Sequence, residues 1–264
     1  VTPLRRLSAV CLAALLWAPA AALAAPGDPF EHLYFSGDEL VESATRSPKP
    51  LSQVAENVAV VTAAEIRDMN AHTLAEVLNR VTGVFVQFFG VHPGATALPH
   101  IQGSGETNPF RRGSEERHVT VLVDGMPWSS QTSGALLDTI PVGIIDRIEV
   151  VKGPASSAWG SSLGGVVNVI TKQPGRTPVP SGAVQGSYGE RGAYDVRGEA
   201  AGGAGPLGYY LQGQAQGFDW DDAGADFLSR SAFAKASARL APTAALTLSG
   251  GYANRDLDNG HLAS

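Results

Sequence analysis

The sequence predicts a small α+β domain followed by a run of antiparallel strands, and three observations carry that prediction. Between residues 57 and 171, short β-branched apolar runs alternate with short helices that open on capping-box spacings. Beyond Pro180 the texture turns to apolar–polar alternation, the period of a strand with two unlike faces. The 31 glycines, against one cysteine and two methionines, favour turns and strands over long helices and argue against an all-helical chain.

The first residues read as an export signal spanning residues 1–24. Arg5 and Arg6 give a positive start, Leu7 to Trp17 an apolar stretch, and Ala22-Leu23-Ala24 a small-residue cleavage site. The stretch is broken by Pro19 and falls short of the roughly 20 residues a membrane-spanning helix needs. Cys11 lies inside it and leaves with it, so the exported chain has no cysteine for disulfides or thiolate metal sites. Loss of Arg5 and Arg6 takes the formal charge two units below −6, and no basic cluster stands elsewhere, which argues against nucleic acid as a partner.

Residues 25–56 contain Pro26, Pro29, Pro48 and Pro50 and no sustained apolar period, the pattern of a flexible leader. Only residues 38–46 have strand character. The compact domain follows at 57–174. Val58 to Val61 reads as a strand, and Thr62 with Glu65 forms the hydroxyl–carboxylate spacing that starts a helix. Thr73 with Glu76 repeats it, with Leu74, Val77, Leu78 and Val81 on one face and Gly83 as the stop. Val84 to Phe88 reads as a strand, and residues 90–117, rich in Gly and Pro, as a long loop. Val119 to Val123 is a short buried-type strand closed by the Asp124-Gly125 turn pair. A helical turn at 141–146, a strand at Ile148 to Val151 stopped by Gly153-Pro154, and a strand at Val166 to Thr171 complete an α+β unit with a small mixed sheet.

In residues 180–264, Leu211, Gly213, Ala215 and Gly217 alternate with Gln212, Gln214 and Gln216, and Ala232, Ala234, Ala236 and Ala238 with Phe233, Lys235, Ser237 and Arg239. Leu246, Leu248 and Tyr252 alternate with Thr247 and Ser249, and Tyr194 and Val196 with Asp195, Arg197 and Glu199. About five strands of roughly 10 residues fit. Alternation alone admits two readings: a transmembrane β-barrel with its apolar face to lipid, or a soluble sandwich with that face buried.

Longer stretches carry a resemblance. Ile140 to Thr171, IPVGIIDRIEVVKGPASSAWGSSLGGVVNVIT, resembles the C-terminal half of the plug domain of TonB-dependent outer-membrane receptors, and HVTVLVDGMPW at His118 to Trp128 its central strand and turn. FRRG at Phe110 to Gly113 and TLAEVLNRVTGV at Thr73 to Val84 extend the likeness, in family order, over the compact domain. The resemblance implies a plug folded inside a 22-stranded barrel, of which residues 180–264 would be the first strands and the whole chain an N-terminal fragment. It also implies the cell outer membrane of a Gram-negative cell as the location, with membrane lipid, an extracellular ligand and TonB as partners.

In such receptors a short N-terminal box pairs as an added strand with TonB, which delivers the energy of the inner-membrane proton gradient. Leu40, Val41, Glu42, Ser43, Ala44 and Thr45 match it, with Glu42 where an apolar residue is usual; a chance Leu-Val pair in a leader is the competing reading. Arg112 and Lys152 stand where family plugs carry cations that pair with barrel carboxylates and hold the plug shut; solvated surface charge is the competing reading. The outward-facing plug loops offer Phe89, His92, His100, Phe110 and Trp128 to a ligand. No spacing specifies a metal site, and no permanent cofactor is implied; the cargo would be a metal chelate. A ferric siderophore is the expected ligand, with cobalamin, haem or a copper chelate as alternatives, and a surface receptor that binds or signals without transporting as an alternative of another class.

An enzyme is not expected. Gly160-Ser161-Ser162-Leu163-Gly164 fits a hydrolase nucleophile pattern, with Asp219 and His261 in hydrolase order. The context opposes it, because a nucleophile elbow needs a strand before the serine and a helix after it, whereas a Gly-Pro turn precedes Ser162 and a strand follows.

Overall fold

The computed structural model describes residues 40–258 apart from 90–95, 104–118, 131–133, 136, 155–158, 161, 220–225 and 242–243. The expected export signal, most of the expected leader, His92, Phe110, Arg112 and His261 lie outside the described residues. Two short strands open the described chain, β1 (Leu40–Val41) and β2 (Lys49–Pro50), paired antiparallel. Then come β3 (Asn57–Thr62), α1 (Ala63–Asp68), α2 (Leu74–Leu78), β4 (Val84–Phe89) and β5 (Thr96–Ile101). They are followed by β6 (Val119–Val123), β7 (Met126–Pro127), β8 (Ser129–Ser130), β9 (Gly134–Ala135), β10 (Ile145–Lys152) and β11 (Gly165–Thr171).

The helix starts form as their sequences dictate. Thr62 caps α1 with a reciprocal box: its hydroxyl accepts from the Glu65 amide at 3.2 Å, and the Glu65 carboxylate accepts from the Thr62 amide at 2.7 Å. At α2 the Thr73 hydroxyl accepts from the Glu76 amide, but the Glu76 carboxylate takes the amide of His72, one residue earlier. The regular helix ends at Leu78, and turns carry the chain to Gly83, whose φ of +80° suits glycine.

A mixed sheet of order β3-β10-β11-β6-β7 organises the domain, with β11 and β6 parallel and the other pairs antiparallel. Asp124 and Gly125, both at positive φ, make the two-residue turn between β6 and β7. One sheet face, carrying Ile148, Val150, Val167 and Val169, joins Leu74, Val77 and Leu78 of α2 in the main core. The other face carries Glu149, Val151, Val166 and Asn168, and Ala44 packs there against Leu122, Val151 and Val166.

Three segments differ from expectation. The loop at 90–117 contains β5, which pairs with β4 from Val84 opposite Ile101 to Phe89 opposite Thr96. Pro99 masked it, yet a two-stranded ribbon has free edges, where a missing N–H is tolerated. The helical turn at 141–146 is 3₁₀ over Val142–Ile144, and Asp146 already belongs to β10. Within the leader, residues 40–56 are folded onto the domain, with Val41 and Ser43 fully buried.

Past Pro180 the chain forms one antiparallel sheet of order β12-β13-β14-β15-β16: β12 (Ser181–Tyr188), β13 (Tyr194–Ala204), β14 (Leu207–Asp219), β15 (Asp226–Ala241) and β16 (Ala244–Asp258). Neighbouring strands pair in sequence, and among the described residues β12 and β16 are the open edges. Gln212, Gln214 and Lys235 are buried on the face toward the α+β domain, while Val184, Leu211, Leu248 and Tyr252 stand exposed on the opposite face. A soluble sandwich would bury the apolar face; here the polar face is the covered one.

Candidate docking segment and domain–sheet contacts

Residues 40–46 lie on the second face of the mixed sheet, and their contacts centre on one carboxylate. Glu149 is fully buried at mid-strand in β10. Its Oε2 accepts from the Glu42 amide at 2.9 Å, the Ser43 amide at 2.8 Å and the Ser43 hydroxyl at 2.6 Å. Its Oε1 accepts from Arg147 Nε at 2.9 Å, so the charge is both paired and hydrogen-bonded, the condition for burying it. Asn168, opposite Glu149 in the ladder, donates to the Ser43 hydroxyl at 3.0 Å, and the Trp159 indole donates to the Ser43 carbonyl. The Arg46 guanidinium stacks over the Trp159 ring, 4.3 Å from its centre. Sequence reasoning selected the segment; its holder was missed, although a lone acid among the apolar residues of IEVV was a readable signal.

Between the domain and the sheet, charges meet in both senses. Lys172 pairs with Glu199 of β13, and Tyr210 of β14, 2% exposed and part of the main core, places its hydroxyl 2.8 Å from the same carboxylate. His72 Nδ1 sits 2.7 Å from Asp195 Oδ2, and Arg197 pairs with Asp195 while donating to the Ala71 carbonyl at 2.9 Å. Asp195 holds the His72 imidazolium above its ordinary pKa through that hydrogen bond, against the opposing effect of burial. In the reverse sense, Lys235 of β15 reaches Asp124 at 3.0 Å and Thr171 Oγ1 at 2.9 Å, and Arg255 of β16 pairs with Asp138. The β12–β16 sheet approaches closely: a side chain at Gly143 would meet the Gln212 amide at 2.8 Å. A cavity of about 260 Å³ lies there, lined by Arg67, Lys172, Arg197, Glu199 and Gln212 among others.

The remaining expected site residues are scattered. Lys152 ends β10, half-buried, and pairs with no carboxylate among the described residues. Phe89 ends β4. His100 is buried in β5 opposite Phe85, their rings 6.1 Å apart. Trp128 is 38% exposed, and its indole donates to Thr139 Oγ1 at 2.9 Å. No group of three metal-ligating side chains is found among the described residues. Ser162 is buried, and its hydroxyl lies 2.6 Å from the Thr120 hydroxyl and donates to the Trp159 carbonyl at 3.2 Å.

Comparison with known proteins agrees with this architecture. Residues 50–167 match the TonB-dependent Receptor Plug Domain. Relatives include the vitamin B12 transporter BtuB of Vibrio vulnificus, 37% identical over 138 residues, covering 52% of this chain and 21% of that protein. The vitamin B12 transporter BtuB of Photobacterium profundum is 33% identical over 198 residues, covering 74% of this chain and 30% of that protein. Among solved structures, the pyoverdine outer-membrane receptor FpvA of Pseudomonas aeruginosa superposes with a TM-score of 0.67 at 20% identity, over 83% of this chain and 30% of that one. The siderophore receptor PirA of the same organism gives 0.55 at 24% identity, over 77% and 36%. The α+β unit is thus a TonB-dependent receptor plug domain, and the strands after it run as an antiparallel sheet like those in TonB-dependent receptor structures. The chain spans 21% to 30% of the length of these transporters.

Proposed function

We propose that this chain is the plug-bearing portion of a TonB-dependent receptor of the outer membrane, which imports a scarce ligand by moving the plug within its barrel. The observation that carries the reading is the inverted sheet: β12–β16 turn their polar face to the plug through Lys235–Asp124, Glu199–Lys172 and Asp195–His72, and leave their apolar face bare. A wall of that kind belongs between lipid and a plugged lumen. An export signal at residues 1–24 delivers the chain, and Leu40 to Thr45 contact TonB by strand addition. Arg112 and Lys152 belong to the lock that holds the plug shut. Phe89, His92, Phe110 and Trp128 belong to the surface that meets the ligand, and the buried His100 does not.

The ligand is a ferric siderophore, in line with the siderophore receptors whose fold the chain shares. A second reading, cobalamin, is favoured by the vitamin B12 transporters at 33% and 37% identity. The test is uptake of radiolabelled ferric siderophores and of labelled cobalamin by cells carrying the gene that encodes this chain, with and without TonB. Iron accumulation lost on deleting either TonB or residues 40–45 is the expected result. Cobalamin accumulation with the same dependence assigns the second reading, and binding without accumulation of either overturns transport.

A further inference from the structure

We infer that Glu149 is a latch: its carboxylate holds residues 42–43 against the plug sheet and so competes directly with strand addition by TonB. The inference rests on the reading of Leu40 to Thr45 as the TonB-contacting segment, and goes beyond it by naming what keeps that segment from its partner. An added strand needs the main-chain groups of the segment it joins. Here those groups are already engaged. Leu40 and Val41 pair with Pro50 and Lys49, the amides of Glu42 and Ser43 donate to Glu149, and the Ser43 carbonyl accepts from Trp159. The two engagements are mutually exclusive at Glu42 and Ser43, so TonB gains the segment only in the fraction of molecules where Glu149 has let go.

The chemistry of the face suits release more than permanence. A stretch meant to stay covered is cheaper to hold with apolar side chains than with a buried ion. The residues that meet Ser43 at mid-strand are instead Glu149 and Asn168, set among Leu122, Val151 and Val166. When the segment leaves, water replaces Ser43 and Glu42 at Oε2, while Arg147 still pairs with Oε1, so no charge is stranded. Arg147 also lies 3.9 Å from the Glu42 carboxylate, a longer contact at the half-exposed rim. Glu149 is therefore a positioning residue, acting on the partner-binding step through the segment it retains.

The experiment uses the full chain in a Cys11→Ala background with a single reporter thiol at Ala44→Cys, a position 7% exposed in the small cluster under the segment. Maleimide labelling is compared with Glu149 intact and with E149Q, and a second reporter at Val167→Cys, fully buried in the main core, reads the integrity of the sheet. The latch predicts that E149Q raises labelling at position 44 by about tenfold, leaves position 167 protected, and tightens TonB binding by a similar factor. Protection at 44 unchanged in both E149Q and E149A overturns it. Equal deprotection at 44 and 167 also overturns it, because Glu149 would then be holding the sheet together. A peptide of residues 40–46 that fails to bind TonB, with E149Q still freeing position 44, refutes the TonB reading and leaves the latch standing.

Discussion

His72 shows how one side chain can tie plug stability to pH. Its Nδ1 lies 2.7 Å from Asp195, and that hydrogen bond raises its pKa above the ordinary 6.5. A raised folded-state value means the contact contributes fully below about pH 6.5 and is lost as pH rises through the folded pKa. The effect is small, because the His72 side chain is 37% exposed and screened by solvent. Thermal melts between pH 5.5 and 8.5 should show stability falling with rising pH in the unmodified chain, with a shallower slope in H72Q. Identical slopes would remove His72 from the plug–wall contact. None of this was legible in the sequence: Asp195 stands 123 residues from His72, and only the packing of β13 against the start of α2 brings them together. By contrast, the Thr62–Glu65 capping box needs no partner beyond three residues and was read directly.

At the scale of elements, β15 is fastened to the plug by Lys235, which is 5% exposed and meets Asp124 and Thr171. Asp124 also closes its own turn, accepting from the Thr171 amide at 2.9 Å and the Thr171 hydroxyl at 2.7 Å. The two partners are therefore unequal in what their loss exposes. D124N keeps an acceptor and tolerates the left-handed backbone at φ +49°, but it leaves the Lys235 ammonium buried without a counter-charge. K235M leaves Asp124 bonded to Thr171 and partly open to water. Urea unfolding in detergent should show D124N losing about 3 kcal/mol, K235M clearly less, and the double variant little more than K235M. Additive losses would mean that the pair does not couple plug to wall. The sequence yielded the elements on either side of this contact, the Asp124-Gly125 turn and the alternation of β15, since each is local. The pairing across 111 residues was not legible, because resemblance transfers positions within a plug more readily than partners in the sheet beyond it.

For the described unit as a whole, the deciding question is which face of β12–β16 meets protein. Alternation of Ala232, Ala234 and Ala236 with Phe233, Lys235 and Ser237 left barrel and sandwich equally open, because a period of two records that the faces differ and not what covers each. The arrangement of the sheet decides it: the Gln212, Gln214 and Lys235 face is buried on the plug, and the Leu211, Leu248 and Tyr252 face is open. Bare apolar surface of this extent is stable only against lipid or another protein, and the two make different collisional environments. Nitroxide labels placed singly at 232, 234 and 236, with the chain in lipid bilayers, should be reached freely by oxygen and poorly by a water-soluble nickel chelate. Labels at 231 and 233, turned toward the plug, should be shielded from both. A protein partner over the apolar face would instead shield positions 232, 234 and 236 from oxygen as well as nickel. Ready access of nickel to those three positions would place the face in water and remove the membrane from the account of this sheet.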